Sequence, residues 1–155
     1  MVIREAGLLF RGYSLINAKY HQTGNKIDND LRSGLFTALL NFAGHAFTKN
    51  EIEYFEGKKY AIAFSEGRIR SKDSRNPESL IAYTILDKHK NIGKYIHKIV
   101  QPLLKESLEE FTKEYEGKYL SEILQFKGFK KKLDKIFSSD SKTVDQKFED
   151  LFTGR

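Results

Sequence analysis

The chain lacks cysteine and tryptophan, and its 155 residues include only two prolines and one methionine. Without cysteine, a disulfide framework, a thiolate metal site and a thiol nucleophile are all excluded. Long hydrophobic runs are also missing, since no stretch approaches the ~18 apolar residues of a membrane-spanning helix. The opening residues hold too short an apolar run for a signal peptide. Together these absences predict a cytoplasmic protein built mainly from one compact domain.

Sequence signals for catalysis are scarce as well. The four histidines, at positions 21, 45, 89 and 97, show no zinc-motif spacing. We find no phosphate-binding glycine loop, no nucleophile elbow, and no carboxylate in an apolar stretch that would suit acid–base work. We therefore expect no catalytic residue, no metal, no cofactor and no enzymatic activity.

The formal net charge of +6 is spread unevenly along the chain. Lysine and arginine dominate residues 58–100 and again residues 127–135, with glutamates concentrated between them. Such segregation favours an acidic protein partner or an anionic membrane surface, although solvated lysine faces give the same pattern. The candidates for an anionic-surface site are Arg68, Arg70, Lys72, Arg75, Lys130 and Lys131.

Alternating apolar and polar residues predict five strands, at residues 6–10, 13–20, 51–55, 59–65 and 79–86. A tight turn near Gly12 joins the first two strands, and residues 66–78 are expected to form a polar basic loop. Apolar residues at three- and four-residue steps predict a long helix at 91–115 that bends at solvent-facing Pro102 and ends at Gly117. Shorter helical segments are expected at 120–126 and 129–137.

The first and fifth strands are apolar on both faces and should be central, whereas the second and third are more polar and should be edges. These assignments predict an α+β fold with a five-stranded antiparallel sheet in the order 2-1-5-4-3. The first helix should cover one face and the long C-terminal helices the other. We expect a domain over residues 1–137, followed by an amphipathic tail over 138–155.

The predicted first helix, residues 31–47, carries a single formal charge, Arg32. Its apolar arc spans more than half of the helical wheel, wider than a one-sided surface helix needs. One flank should cover the sheet, and the other should meet either a second protein or the tail segment 144–152. The candidate protein-binding residues, on this flank and the following edge strand, are Phe36, Leu40, Phe47, Ile52 and Tyr54.

The order of these segments resembles a known group of folds. The opening GLLF strand, the helix LFTALLNFAGHAF, the IEYF, KYAIAF and LIAYTILDK strands and the long closing helix resemble longin-like and roadblock-like domains. These domains belong to the profilin-like α-β-α folds, and the aromatic-rich ending is similar to that of archaeal members. The resemblance covers about residues 3–137, and a strand-first start fits longin better than roadblock.

The resemblance implies a non-catalytic platform that forms homo- or heterodimers through the first helix and the edge strand after it. Such platforms serve as scaffolds or regulators for small GTPases and for trafficking or signalling complexes. One alternative is a small-ligand sensor of profilin-like architecture, with a pocket between the sheet and the long helix. Another is a peripheral binder of anionic membranes or nucleic acid. Nucleic acid is the least favoured partner, because stacking needs an exposed sheet and both faces should be covered.

Overall fold

The computed structural model describes residues 3–20, 54–56 and 59–138. Five strands form one antiparallel sheet in the order β2-β1-β5-β4-β3. The strands are β1 (Ile3–Phe10), β2 (Tyr13–Lys19), β3 (Tyr54–Glu56), β4 (Tyr60–Ile69) and β5 (Glu78–Asp87). The predicted α+β class and strand order are confirmed. The apolar β1 and β5 are central, and each has buried side chains on both of its faces.

A two-residue turn at Arg11 and Gly12 joins β1 to β2, with φ angles of 52° and 83°. Two consecutive left-handed residues are typical of the type I′ hairpin turn, whose twist matches that of the flanking strands. Glycine adopts this conformation at no steric cost, whereas arginine does so rarely. The tight turn predicted near Gly12 is therefore confirmed.

Residues 92–115 form a helical segment in three parts: α1 (Ile92–Tyr95), a π-helical turn (Ile96–Val100) and α2 (Gln101–Tyr115). Pro102 is exposed, as predicted, and it has no N–H to donate to the carbonyl of residue 98. We attribute the π turn to this missing donor, since prolines and π turns are common sites of helix irregularity. After α2, Gly117 adopts a φ of 81°, which fits the predicted helix end.

This helical segment packs on one face of the sheet, which we call the helix-covered face. Small residues such as Ala61 and Ala63 on β4 allow a close approach, and an added Cβ at Gly67 would lie 3.5 Å from a Leu108 methyl. A 3-10 helix (Ile123–Gly128) then leads into α3 (Phe129–Phe137). Both join the same core through Phe111, whose ring centroid lies 5.2 Å from those of Phe126 and Phe129. At Gly128 the chain changes from 3-10 to α geometry rather than breaking.

The second face of the sheet carries its own apolar cluster. Leu9, Tyr83 and Ile85 are buried there, and Tyr60, Ile62, Phe64 and Ile81 pack beside them half-buried. The helix predicted to cover this face, residues 31–47, lies outside the described residues. The predicted tail also lies outside them from residue 139 onward.

The loop predicted at residues 66–78 is wrong at both ends, because in the structure it runs from residue 70 to residue 77. The ladder between β4 and β5 continues through the pairs Glu66 with Ile81 and Ile69 with Glu78, so Arg68 belongs to a strand. Polar side chains suggested a loop here, but Ile69 is fully buried and the antiparallel partner satisfies the backbone. The strand β1 likewise begins at Ile3, three residues earlier than predicted.

Candidate interaction surfaces

Four of the five predicted protein-binding residues, Phe36, Leu40, Phe47 and Ile52, lie outside the described residues. The fifth, Tyr54, is half-buried in β3 and packs against the main core. A Cβ added at Gly93 in α1 would lie 2.8 Å from the Tyr54 hydroxyl, so the tyrosine helps to seat α1 on the sheet. Its side chain therefore has a packing role inside the domain.

The strand β3 is the edge on which the predicted dimer would pair. Its three residues bond to β4 on one side, and no strand of the described residues pairs with it on the other. Phe55 stacks on Phe64 of β4, with ring centroids 5.6 Å apart. Glu56 forms an ion pair with Lys88 at 3.4 Å. Among the described residues, β3 is therefore an edge strand, paired on the β4 side alone.

Two of the predicted anionic-surface residues, Arg68 and Arg70, form hydrogen bonds within the domain. The Arg68 guanidinium, on β4, donates to the carbonyl of Pro77 at 3.5 Å. The backbone N–H of Arg70 donates to Glu116 at 3.3 Å, and its guanidinium donates to the carbonyl of Ser74 at 3.5 Å. These contacts help to hold residues 70–77 in place, and each uses one N–H of its guanidinium group.

The other four candidates, Lys72, Arg75, Lys130 and Lys131, have exposed side chains. The backbone N–H of Lys72 donates to the carbonyl of Lys118 at 2.9 Å, which places Lys72 beside the residues that follow α2. Its ammonium group lies 5.1 Å from the centroid of the Tyr119 ring. Lys130 and Lys131 lie on α3. The candidates therefore form no single cluster, but Lys72 meets a second feature that sequence reasoning missed.

That feature is an apolar segment at residues 119–124, which includes the first two residues of the 3-10 helix and which we call the apolar loop. Leu120 points inward and is fully buried, whereas Tyr119 and Ile123 are each 46% exposed and Leu124 is 76% exposed. The sequence pattern predicted a helix over residues 120–126. Positions 123 and 124 lie three and four residues after the buried Leu120, so helical spacing gave no signal that they would be exposed.

An ion-pair cluster ties the β1–β2 turn to the loop before β5. The Arg11 guanidinium lies 2.6 Å from a Glu78 carboxylate oxygen and 3.1 Å from an Asp73 oxygen. These hydrogen bonds lower the pKa of Asp73 to about 2 and also lower the pKa of Glu78. The same two carboxylates raise the pKa of Arg11, which stays protonated. Such a group can fasten two loops but cannot exchange a proton near neutral pH.

A buried carboxylate lies on the second face of the sheet. Glu5 is 2% exposed, and it accepts a hydrogen bond of 2.6 Å from the Tyr83 hydroxyl. Sequence reasoning missed this residue, because it started β1 at Ala6 and so left Glu5 outside the strand in which it alternates with Gly7 and Leu9.

Among residues 3–20, 54–56 and 59–138 we find no group of three side chains placed to hold a metal ion. None of the helices in these ranges has the length and apolar character needed to cross a membrane. Comparison with known proteins returned no matching family model, no matching curated protein and no matching solved structure.

Proposed function

We propose that this chain is a non-catalytic protein-interaction module of the longin-like or roadblock-like kind. It acts in the cytoplasm as a homo- or heterodimer, and it serves as a scaffold or regulator for small GTPases or for trafficking and signalling complexes. The partner face consists of the predicted flank Phe36, Leu40 and Phe47 with the neighbouring edge strand.

The observation that carries this proposal is the sheet order together with the long helical segment on one face. The order β2-β1-β5-β4-β3 leaves β3 at an edge, and the predicted helix precedes β3 in the chain. This is the arrangement that the resemblance implies for a dimerising platform. An edge strand beside an apolar helix flank can pair with a second copy and bury the flank in one isologous contact.

A small-ligand sensor is less well supported. That alternative expects a pocket between the sheet and the long helix. The layer between them is instead filled by side chains that are at most 6% exposed, including Val100, Leu104, Leu108 and Phe111. A ligand would have to displace a close-packed core, which is costly.

The proposal can be tested with purified small GTPases, each loaded with GDP or with a non-hydrolysable GTP analogue. Binding to the full chain is measured by calorimetry. We expect at least one GTPase to bind with a preference for one nucleotide state. Leu40→Asp should abolish the binding, because a charge would replace an apolar contact.

Leu124→Asp is the matched control, since it makes the same change on a side chain that is 76% exposed elsewhere in the fold. This variant should bind as the unmodified chain does. Circular dichroism must show that both variants are folded. Equal GTPase binding by a folded Leu40→Asp variant, or no binding by the unmodified chain, would contradict the proposal.

A further inference from the structure

Three of the four exposed large hydrophobic side chains in the described residues lie in the apolar loop: Tyr119, Ile123 and Leu124. Single exposed hydrophobic residues are normal on protein surfaces, but a contiguous group marks an interaction site. The fourth, Ile99, stands alone on the π turn. Because three exposed hydrophobic side chains lie within six residues, we expect this surface to bind a partner.

The loop is held firmly in this outward arrangement. The Gly117 N–H donates to the carbonyl of Arg70 at 2.8 Å, and the Leu120 N–H donates to the Ser71 hydroxyl at 3.3 Å. The Gln125 side chain closes the loop by donating to the carbonyl of Tyr119. With Leu120 buried as an anchor, the apolar side chains cannot turn inward without breaking these bonds. The fold thus presents them already ordered.

Positive charge surrounds the loop. Lys72 lies over the Tyr119 ring at 5.1 Å, and Lys118 lies over the Tyr115 ring at 5.3 Å. Residues three apart in a 3-10 helix share one side, so Lys127 stands next to Leu124. Of the three acids in this region, Asp73 pairs with Arg11, Glu116 accepts the Arg70 N–H and Glu122 stands in the exposed turn. Together with Arg70 beside Gly117, the three lysines make four basic groups against these three acids.

We propose that the apolar loop inserts into the surface of an anionic membrane, with Lys72, Lys118 and Lys127 binding the lipid headgroups. Leucine and isoleucine would enter the acyl boundary, and tyrosine suits the headgroup level because one end of its ring is apolar and the other polar. Lysine side chains can lay their methylene stems along the apolar boundary while the ammonium groups reach phosphate. Tyr119 precedes the 3-10 helix and Ile123 and Leu124 begin it, so the apolar side chains project from one short segment that can enter a lipid surface. The proposal does not depend on self-association.

The absence of tryptophan allows a direct test. In the full-length Leu124→Trp variant, the single indole reports the polarity around the loop. We expect its emission to shift to shorter wavelength with vesicles of phosphatidylserine and phosphatidylcholine, and to stay unchanged with phosphatidylcholine alone. Ile99→Trp is the matched control, placed roughly 24 Å from the end of α2 at 1.5 Å per residue, and its emission should not change.

Sedimentation with the same vesicles measures the contribution of each group in the otherwise unmodified chain. Leu124→Asn should lower the partition coefficient about tenfold, whereas Ile99→Asn should leave it unchanged. Replacing Lys118 and Lys127 by glutamine should lower it roughly fivefold per lysine, and the same change at Lys94 and Lys98 should have far less effect.

The proposal is overturned if the unmodified chain does not sediment with anionic vesicles, or if Ile99→Asn weakens binding as much as Leu124→Asn. It is also overturned if the chain binds vesicles without any shift in the Leu124→Trp emission. Binding to polyglutamate in place of vesicles would assign the loop to an acidic protein partner, against the membrane proposal.

Discussion

The hydroxyl of Tyr83 in β5 donates a hydrogen bond of 2.6 Å to the carboxylate of Glu5 in β1, and both side chains are buried on the second face of the sheet. A buried carboxylate needs donors, because water cannot solvate it there. We therefore expect Tyr83→Phe to lower the free energy of unfolding by about 1–3 kcal/mol. Urea denaturation at neutral pH measures the change.

Tyr60→Phe provides the matched control for that variant. The Tyr60 ring packs on the same face, and its hydroxyl makes no hydrogen bond within the part of the chain that the structure describes. This substitution should change the free energy of unfolding by less than about 0.5 kcal/mol. Equal losses in the two variants would show that the Glu5–Tyr83 hydrogen bond contributes nothing specific.

Gly7 leaves room for the Tyr83 ring. An added Cβ at Gly7 would lie 2.7 Å from Tyr83 Cε1 and 2.8 Å from the backbone oxygen of Ile16. Backbone cannot move away as a flexible side chain can, so Gly7→Ala should destabilise the protein by about 1–3 kcal/mol. Gly128→Ala should instead stabilise it by up to about 1 kcal/mol, because that glycine has a helical φ of −66° and nothing within 4 Å. A neutral Gly7→Ala variant would contradict this account of the central strands.

Thr84 has a fully buried hydroxyl that finds no hydrogen-bond partner within the described residues. Its neighbours in the sheet, Ala6 and Ala63, offer it only methyl groups. Thr84→Val keeps the shape and removes the unsatisfied hydroxyl, so we expect it to raise the free energy of unfolding by about 1 kcal/mol. Thermal and urea unfolding should agree on the sign. A loss of stability would indicate that the hydroxyl does meet a partner.

The Arg11 cluster predicts a pH dependence of stability. Since Arg11 lowers the pKa of Asp73 to about 2 and lowers that of Glu78, both carboxylates favour the folded state when ionised. Their contribution is present above the ordinary carboxylate pKa of about 4 and is lost as pH falls towards 2. Arg11→Asn, which tolerates the left-handed φ, should be less stable than the unmodified chain at pH 6. This difference should shrink towards pH 2.

The control for the Arg11 variant is Arg75→Asn, an equal change of charge on an exposed side chain of the loop that Arg11 holds. Its stability relative to the unmodified chain should not depend on pH between 6 and 2. Urea midpoints across that range compare the two variants. The ion pairs are exposed, so the effect of Arg11→Asn should be modest and should weaken in high salt.

The strand order was predictable because a strand that is buried on both faces has a nearly continuous apolar sequence. Residues 7–10 and 79–86 are apolar almost throughout, and such runs belong in the centre of a sheet. The ends of the strands were less predictable. Glu66 and Arg68 are polar like loop residues, and only the partner strand β5 shows that they belong to a ladder. The burial of Glu5 was likewise hard to predict, because its hydrogen-bond partner Tyr83 is 78 residues away in the sequence.

The surfaces were harder to predict than the fold. Exposed Lys72 was recognised as a candidate, but its contact with Tyr119 depends on a backbone pairing between residues 72 and 118 that leaves no local signal. Most of the apolar loop was predicted as part of a helix at residues 120–126, because its leucines and isoleucine fall at helical spacing. A 3-10 turn changes which of these residues face inward, and periodicity at 3.6 residues per turn does not detect that change.

Self-association is the central claim, and the mass of the full chain in solution tests it most directly. Light scattering coupled to size-exclusion chromatography should give twice the mass of 18.0 kDa at micromolar concentration. A folded Leu40→Asp variant should give the monomer mass, and Leu124→Asp should remain a dimer. If the unmodified chain stays a monomer at every concentration and in the presence of each GTPase tested, the account of this protein as a dimerising platform is wrong.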